Sequence, residues 1–377
     1  MKQVAQGSGR TLLGGLARYS SRAPATLLSQ LEDKLTHQPL FLSYDYLSPQ
    51  PSHLLNVSLR DFLPRAESRQ PLKDASGLVL PSVLDAGHLP RGHHLVYFPP
   101  HLPSSELVPD GCDVLHCPGA PFNRRMWAGG SVRFRDPNGG PLLDAQRAVC
   151  IEGVRDVRIK GKEGEEKVFV GIERRIALVK ENEDEETMRR RIWTATEEEW
   201  GDASVIEKRN LVFMLDKTPE ELRREQSGGA QQRKPLKAPT NPTLRHTLTP
   251  SRSLLFRFSA LTFNAHSIHL DRDYARNVEG YEDLLVHGPL SLTLMLMVFQ
   301  GHIKDTRRAI SSIEYRNLAP ILVEQPLTVC AKPKETGHDG SWDIWIEKGD
   351  GGMAVRGTIQ TKPFDKGVWT STGSPML

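Results

Sequence analysis

The chain has 377 residues, room for two domains at roughly 150 residues each. Hydrophobic residues make up 38% and charged residues 25%, so the composition is that of a globular protein, neither disordered nor fibrous. A net charge of +3 is too weak a bias to point to nucleic acid, and the four cysteines (Cys112, Cys117, Cys150, Cys330) make no disulfide framework at this length, which fits a reducing compartment.

In chain order, the first element reads as an address. Lys2, Arg10, Arg18 and Arg22 precede the first acidic residue, Glu32, among Ser and small residues, with Leu12, Leu13 and Leu16 on one helical face. Basic, Ser-rich and acid-free describes a mitochondrial transit segment over residues 1–30. An N-terminal unit is expected over 40–216. Its Pro- and Leu-rich opening carries a short strand at 93–98, ended by Pro99-Pro100. Met126-Trp127-Ala128-Gly129-Gly130 leads into 131–135, which alternates at period two like a half-buried strand. Strands at 150–159 and 167–177 bracket Gly161-Lys162-Glu163-Gly164, a hairpin by turn chemistry. An acidic cluster (181–186) and a basic one (189–191) suggest a solvated helix face or loop, and 210–215 another strand. Residues 217–250 turn polar and Pro-rich and read as a linker. The C-terminal unit, 251–377, offers a strand at 254–258, a polar loop at 264–271, a helix at 273–278, an apolar helix opened by Gly288-Pro289 and running to Gln300, and strands at 312–317, 327–332, 342–348 and 353–360.

The apolar helix decides the architecture. Its longest apolar stretch, from Leu290 to Phe299, is about half the ~20 residues of a membrane span, so no segment spans a membrane. Being apolar all round, it must be wrapped by other elements. Antiparallel strands follow it, so the economical fold is α+β, a sheet curled around one helix, the hot-dog arrangement. Val132-Arg133-Phe134-Arg135-Asp136 echoes Ile313-Glu314-Tyr315-Arg316-Asn317. The expectation is therefore a double hot-dog whose first helix is degenerate.

The chemistry concentrates at 264–289. Asn264, His266 and His269 fall in one loop, Asp271 follows, and Val286-His287-Gly288-Pro289 sits where the buried helix starts. A helix start offers unpaired N–H groups and a positive dipole end. Gly288 lets a substrate approach that backbone, and its N–H can polarise a thioester carbonyl. A histidine within reach can remove a proton alpha to that carbonyl and return it to a departing hydroxyl.

This stretch resembles the R-specific enoyl hydratase and 3-hydroxyacyl dehydratase hot-dog family (MaoC-like), whose motif is Gly-Asp-x-Asn-Pro-(aliphatic)-His-x-Asp before a helix. Ile268-His269-Leu270-Asp271 matches its second half, Ala275 its small helical residue and Gly288 its carbonyl-binding glycine. The family's Asp falls on Asn264, its Asn on His266 and its Pro on Ser267. The phrases 258–269, Leu285-Val286-His287-Gly288-Pro289-Leu290, Arg125-Met126-Trp127-Ala128-Gly129-Gly130 and 92–98 are similar to the fungal mitochondrial hydroxyacyl-thioester dehydratase type 2 group. The resemblance covers roughly residues 85 to 360. It implies conversion of (R)-3-hydroxyacyl-[acyl carrier protein] to the trans-2-enoyl thioester in mitochondrial fatty acid synthesis, in the matrix, with acyl carrier protein or coenzyme A thioesters as partners.

With Asn264 in place of Asp, one carboxylate of the family pair is missing. His269 is then the expected acid/base, Asn264 orients the hydroxyl, and His266 is either a second acid/base or a partner of His269. Asp271 reads as a helix N-cap or supporting group and His287 as a packing or positioning residue beside Gly288. The chemistry needs no cofactor and no metal: Cys112, His116 and Cys117 lack the second half of a zinc site. The alternatives are an R-specific enoyl-CoA hydratase, a thioesterase (for which Asn264 supplies no carboxylate) and a non-catalytic acyl-thioester binder. Ser-Pro-Met-Leu at the end is not a peroxisomal address. The pairs Arg124-Arg125, Arg174-Arg175 and Arg307-Arg308 are candidates for meeting an acidic carrier protein, with solvated surface charge as the plainer account. A double unit completes its site within one chain, so a homodimer is compatible but not required.

Overall fold

The computed structural model describes residues 24–64, 79–137, 139–226, 236–335 and 339–364. Ten strands form one antiparallel sheet: β1 (Phe41–Tyr46), β2 (Arg124–Phe134), β3 (Arg147–Lys160), β4 (Lys167–Leu178), β5 (Val205–Met214), β6 (Leu244–Leu248), β7 (Arg308–Asn317), β8 (Leu327–Pro333), β9 (Ser341–Lys348) and β10 (Met353–Pro363). Their order is β1-β3-β4-β5-β2-β7-β10-β9-β8-β6. From each edge to the middle the path is the same, β1-β3-β4-β5-β2 and β6-β8-β9-β10-β7, so the sheet is two copies of one topology. The copies join where β2 pairs with β7, with Val132 opposite Ile313. The two segments that echo each other in sequence are thus the two sides of the seam. This is the double hot-dog α+β fold.

The helices are α1 (Pro24–Thr36), α2 (Pro49–Leu59), α3 (Glu185–Ile192), α4 (Pro219–Gln226), α5 (Arg252–Leu261), α6 (Arg272–Asn277) and α7 (Gly288–Ile303). Leu290, Leu292, Leu294, Met295, Leu296, Val298 and Phe299 of α7 are all buried, as are Ser291 and Thr293, whose hydroxyls bond back to the carbonyls of His287 and Pro289. Each buried aliphatic side chain contributes about 1.5–3 kcal/mol, so this helix anchors the main core. In the first half, the described residues between α2 and β2 form only 3₁₀ turns, which is the degenerate helix in structural terms. One of those turns packs onto α7: a Cβ on Gly92 would lie 3.3 Å from Leu296.

Several sequence expectations are corrected. Residues 93–98 are not a strand but a 3₁₀ turn, His93–Val96, followed by Tyr97 and Phe98, all buried. A short apolar run buried on every side looks the same in either conformation. Residues 254–258 are helical, inside α5. Leu254, Leu255, Phe258 and Ser259 are buried at helical spacing, and the Ser251 hydroxyl caps the helix by accepting the Leu254 N–H. The expected linker, 217–250, contains α4 and the edge strand β6, so the second half of the sheet begins inside it; 227–235 lie outside the described residues. Residues 1–23 of the expected transit segment also lie outside them, whereas 24–30 begin α1, whose Leu31 and Leu35 pack on Val154, Val168 and Val170. The hairpins β3–β4 and β9–β10 fall where turn chemistry places them.

Candidate active site

A cavity of about 190 Å³ opens between the two sheet halves. Asn264, His266, His269, Gly288 and Pro289 line one wall, and Trp127, Glu152, Arg174 and Arg209 line the other. Four of the residues singled out in the sequence, Asn264, His266, His269 and Gly288, therefore share one space.

The loop between α5 and α6 is built by local hydrogen bonds. The Asn264 N–H donates to the Ser259 carbonyl (2.9 Å), and Asn264 Oδ1 accepts the His266 N–H (3.0 Å). With Oδ1 accepting within the loop, Nδ2 is the group of this cavity-lining amide that is left to donate. His269 sits at the end of a 3₁₀ turn, Ser267–His269. Its Nδ1 lies 2.7 Å from the Leu285 carbonyl, which can only accept. The proton is therefore on Nδ1, and Nε2 carries a free lone pair. The Leu285 N–H in turn donates to the Ile268 carbonyl (3.0 Å), so the histidine loop and the chain entering α7 are tied in both directions.

His287 and His269 stack with ring centroids 3.7 Å apart. His287 is fully buried and shares a hydrogen bond with the Ser259 hydroxyl (2.8 Å). It holds the His269 ring from below and does not line the cavity. The next residue, Gly288, is the first of α7, where the amide has no partner within the helix. A Cβ there would lie 2.9 Å from Trp127 Cβ, so glycine is required by the indole that crosses the helix start. That indole is fixed by its own N–H, which donates to the Tyr315 hydroxyl (2.7 Å) across the seam.

Burial lowers His269 to about 4, with the Leu285 carbonyl opposing the shift and Arg125 adding to it. His266 is lowered further, to about 2, by burial and then by His269 and Arg125. Both rings are neutral at physiological pH, the form a proton acceptor requires. Asp271 is exposed and caps α6, accepting the N–H groups of Asp273 (2.9 Å) and Tyr274 (3.0 Å); it lies outside the cavity.

Two features escaped the sequence reading. The first is Asp110, whose Oδ2 lies 3.4 Å from His266 Nε2. Ligand-type atoms of Asp110, Cys112 and His266 all lie within 4.8 Å of one another. Burial pushes the Cys112 thiol up and the neighbouring Asp110 adds to the shift, so the thiol is protonated and the trio is held together by hydrogen bonds. The second is a buried ionic layer on the far wall. Arg174 pairs with Glu152 (2.5 Å) and Glu207 (3.2 Å), Arg209 pairs with Glu207 (2.8 Å), and His116 meets Glu152 (3.4 Å). Burial pushes Glu207 up, but Arg209 and Arg174 outweigh it and hold the carboxyl at about 2. The arginine pairs considered for carrier-protein contact are mostly engaged within the fold. Arg174 and Arg175 are buried, Arg124 pairs with Glu279 (2.7 Å), Arg125 with Asp113 (2.8 Å) and Arg308 with Asp339 (2.8 Å).

The family model for hydroxyacyl-thioester dehydratase type 2 matches residues 92–323. The chain is 28% identical over 312 residues to the mitochondrial hydroxyacyl-thioester dehydratase type 2 of Schizosaccharomyces pombe, covering 81% of this chain and 91% of the relative. It is 30% identical over 279 residues to mesaconyl-C(4)-CoA hydratase of Chloroflexus aurantiacus, covering 72% of this chain and 83% of the relative. Among solved structures, a MaoC-like dehydratase from Phytophthora capsici shares the fold, with a TM-score of 0.53 at 13% identity over 88% of this chain and 97% of that one.

Proposed function

The chain belongs to the hydroxyacyl-thioester dehydratase type 2 family, and from that premise we propose that it removes water from (R)-3-hydroxyacyl thioesters on acyl carrier protein in the mitochondrial matrix. It is a hydro-lyase of the hot-dog class. Relatives at 28% and 26% identity are named as mitochondrial, and the basic, acid-free start of this chain supports the same destination.

The observation that carries the mechanism is the His269 tautomer. With Nδ1–H held by Leu285, Nε2 is the ring nitrogen left to act in the cavity that His269 and Gly288 both line. Nε2 takes the proton from C2, and the C2–H electrons move toward the thioester carbonyl. The Gly288 N–H and the positive end of α7 stabilise the oxygen charge that develops. The C3–O bond then breaks, and the His269 imidazolium returns the proton to the departing hydroxyl, which leaves as water. Asn264 Nδ2 donates to that same oxygen and aligns it. Both walls come from one chain, so catalysis needs no second copy.

A second reading, a coenzyme A-linked hydratase, is favoured by the mesaconyl-C(4)-CoA hydratase relative and by the charged far wall. The deciding assay follows the enoyl thioester absorbance with (R)-3-hydroxyacyl substrates on carrier protein and on coenzyme A. A higher kcat/KM on carrier protein supports the first reading and the reverse order the second. Binding without turnover on both rejects a catalytic role.

A further inference from the structure

We infer that Asp110, from a loop of the first unit, is a positioning residue of the dehydration site that acts through His266 and replaces the carboxylate lost where Asn264 stands. The inference rests on the dehydratase reading above.

The two loops are locked together. The Ser267 N–H donates to the Asp110 carbonyl (2.7 Å). Gly111, at φ +83°, brings the backbone so close that a Cβ would lie 2.1 Å from the Ala265 carbonyl oxygen. The carboxylate is held too: Oδ1 accepts the Cys112 N–H (2.8 Å), which leaves Oδ2 for His266. Asp110 and His266 are both buried. A carboxylate beside a neutral imidazole accepts the ring N–H, so the Nε2 of His266 carries the proton. His266 lines the cavity and Asp110 does not, and with Nε2 committed to Asp110 the bare Nδ1 is the ring nitrogen left to meet the substrate.

The site then holds two neutral imidazoles in opposite tautomers, 5.5 Å apart and nearly perpendicular. His269 is protonated on Nδ1 and acts through Nε2. His266 is protonated on Nε2 and acts through Nδ1, accepting the O–H of the 3-hydroxyl while Asn264 donates to the same oxygen. That arrangement fixes both the position and the rotation of the leaving hydroxyl. No proton leaves Asp110 or His266 during turnover.

The test is Asp110→Asn, which preserves shape and offers the ring an N–H donor in place of an acceptor. Nitrogen-15 NMR of histidine-labelled protein should show His266 as the Nε2–H form in the wild type and the Nδ1–H form in the variant. Activity on an (R)-3-hydroxyacyl thioester should fall roughly 100-fold in kcat with KM within about threefold. In a His266→Gln background the same change should cost almost nothing more. A wild-type Nδ1–H tautomer overturns the inference and requires no variant. So does D110N with near-normal kcat, or an equal additional loss in the His266→Gln background. Absence of turnover in the wild type would instead reject the dehydratase reading, while the tautomer still reports on the pair.

Discussion

The buried histidines should make this protein acid-labile well above the carboxylate range. Among the described residues six imidazoles, at 93, 94, 116, 266, 269 and 287, are buried, and burial lowers all of them: His93 to about 3, His94 to about 4, His266 to about 2, His269 to about 4, and His116 and His287 below their ordinary value. In the unfolded chain each titrates near 6.5. Below that pH the unfolded state takes up protons that the folded state refuses. Stability is therefore complete above about pH 7 and falls from 6.5 downward, toward the folded values of 2–4. Between pH 7.5 and 5.5 each ring costs about 1.4 kcal/mol, so six cost up to about 8 kcal/mol. That is comparable with the whole stability of a typical domain. Denaturant titrations at pH 7.5, 6.5 and 5.5 should show the midpoint dropping steeply over the last unit, with about five to six protons taken up on unfolding at the lowest pH. A flat midpoint across that range would mean that the rings are charged or solvated in the folded state, and the neutral-base argument for His269 would fall with it.

Four further outcomes follow. His269→Ala should lower kcat by about 10²–10⁴-fold with folding intact, measured by turnover and circular dichroism; near-normal turnover rejects it as the base. Gly288→Ala drives a methyl against Trp127, so kcat/KM should fall by about 10²–10³-fold with a stability loss of about 1–3 kcal/mol. Asn264→Asp keeps the acceptor for the His266 N–H and loses only the donor into the cavity, so a folded variant with about a tenth of wild-type kcat is expected; complete loss would make the amide essential. Arg174→Met strands Glu152 and Glu207 without their shared cation and should cost about 3–5 kcal/mol in chemical denaturation.

What was legible in the sequence is what depends on local chemistry. The all-round apolar helix, the two glycine-bearing hairpins and the clustering of Asn264, His266 and His269 before a Gly-Pro helix start each declare themselves within a few residues. Segments buried on every side were not legible. Residues 93–98 and 254–258 are short apolar runs, and whether such a run becomes a turn, a helix or a strand is settled by its neighbours. The ionic layer was hidden for a related reason. Glu152, Arg174, Glu207 and Arg209 occupy strand positions where alternation reads a charged residue as facing water, yet Arg174 pairs with Glu152 and Glu207 on the strands beside it, and Arg209 pairs with Glu207 on its own strand. Asp110 had a signal of its own, Pro109-Asp110-Gly111, but that signal announces only a turn. That the turn seats against Ala265 is a property of the assembled pair of units.

The loss of one helix accounts for the shape of the site. In the second half α7 fills the space under the sheet and contributes nothing to the cavity but its first turn. In the first half the described residues at the equivalent place form 3₁₀ turns, and the wall there is formed by strand side chains and the 113–116 loop. Had both helices persisted, their apolar bulk would occupy the volume the acyl group needs. In the proposed reaction the half without a full helix receives the acyl group, while the retained helix offers its dipole and the Gly288 amide to the thioester oxygen. Carboxylates and guanidinia can then face the void because they neutralise one another across β3, β4 and β5, and the loop carrying Asp110 can fold under the histidines of the other unit. The asymmetry between two copies of one topology is thus what divides binding from chemistry along this sheet.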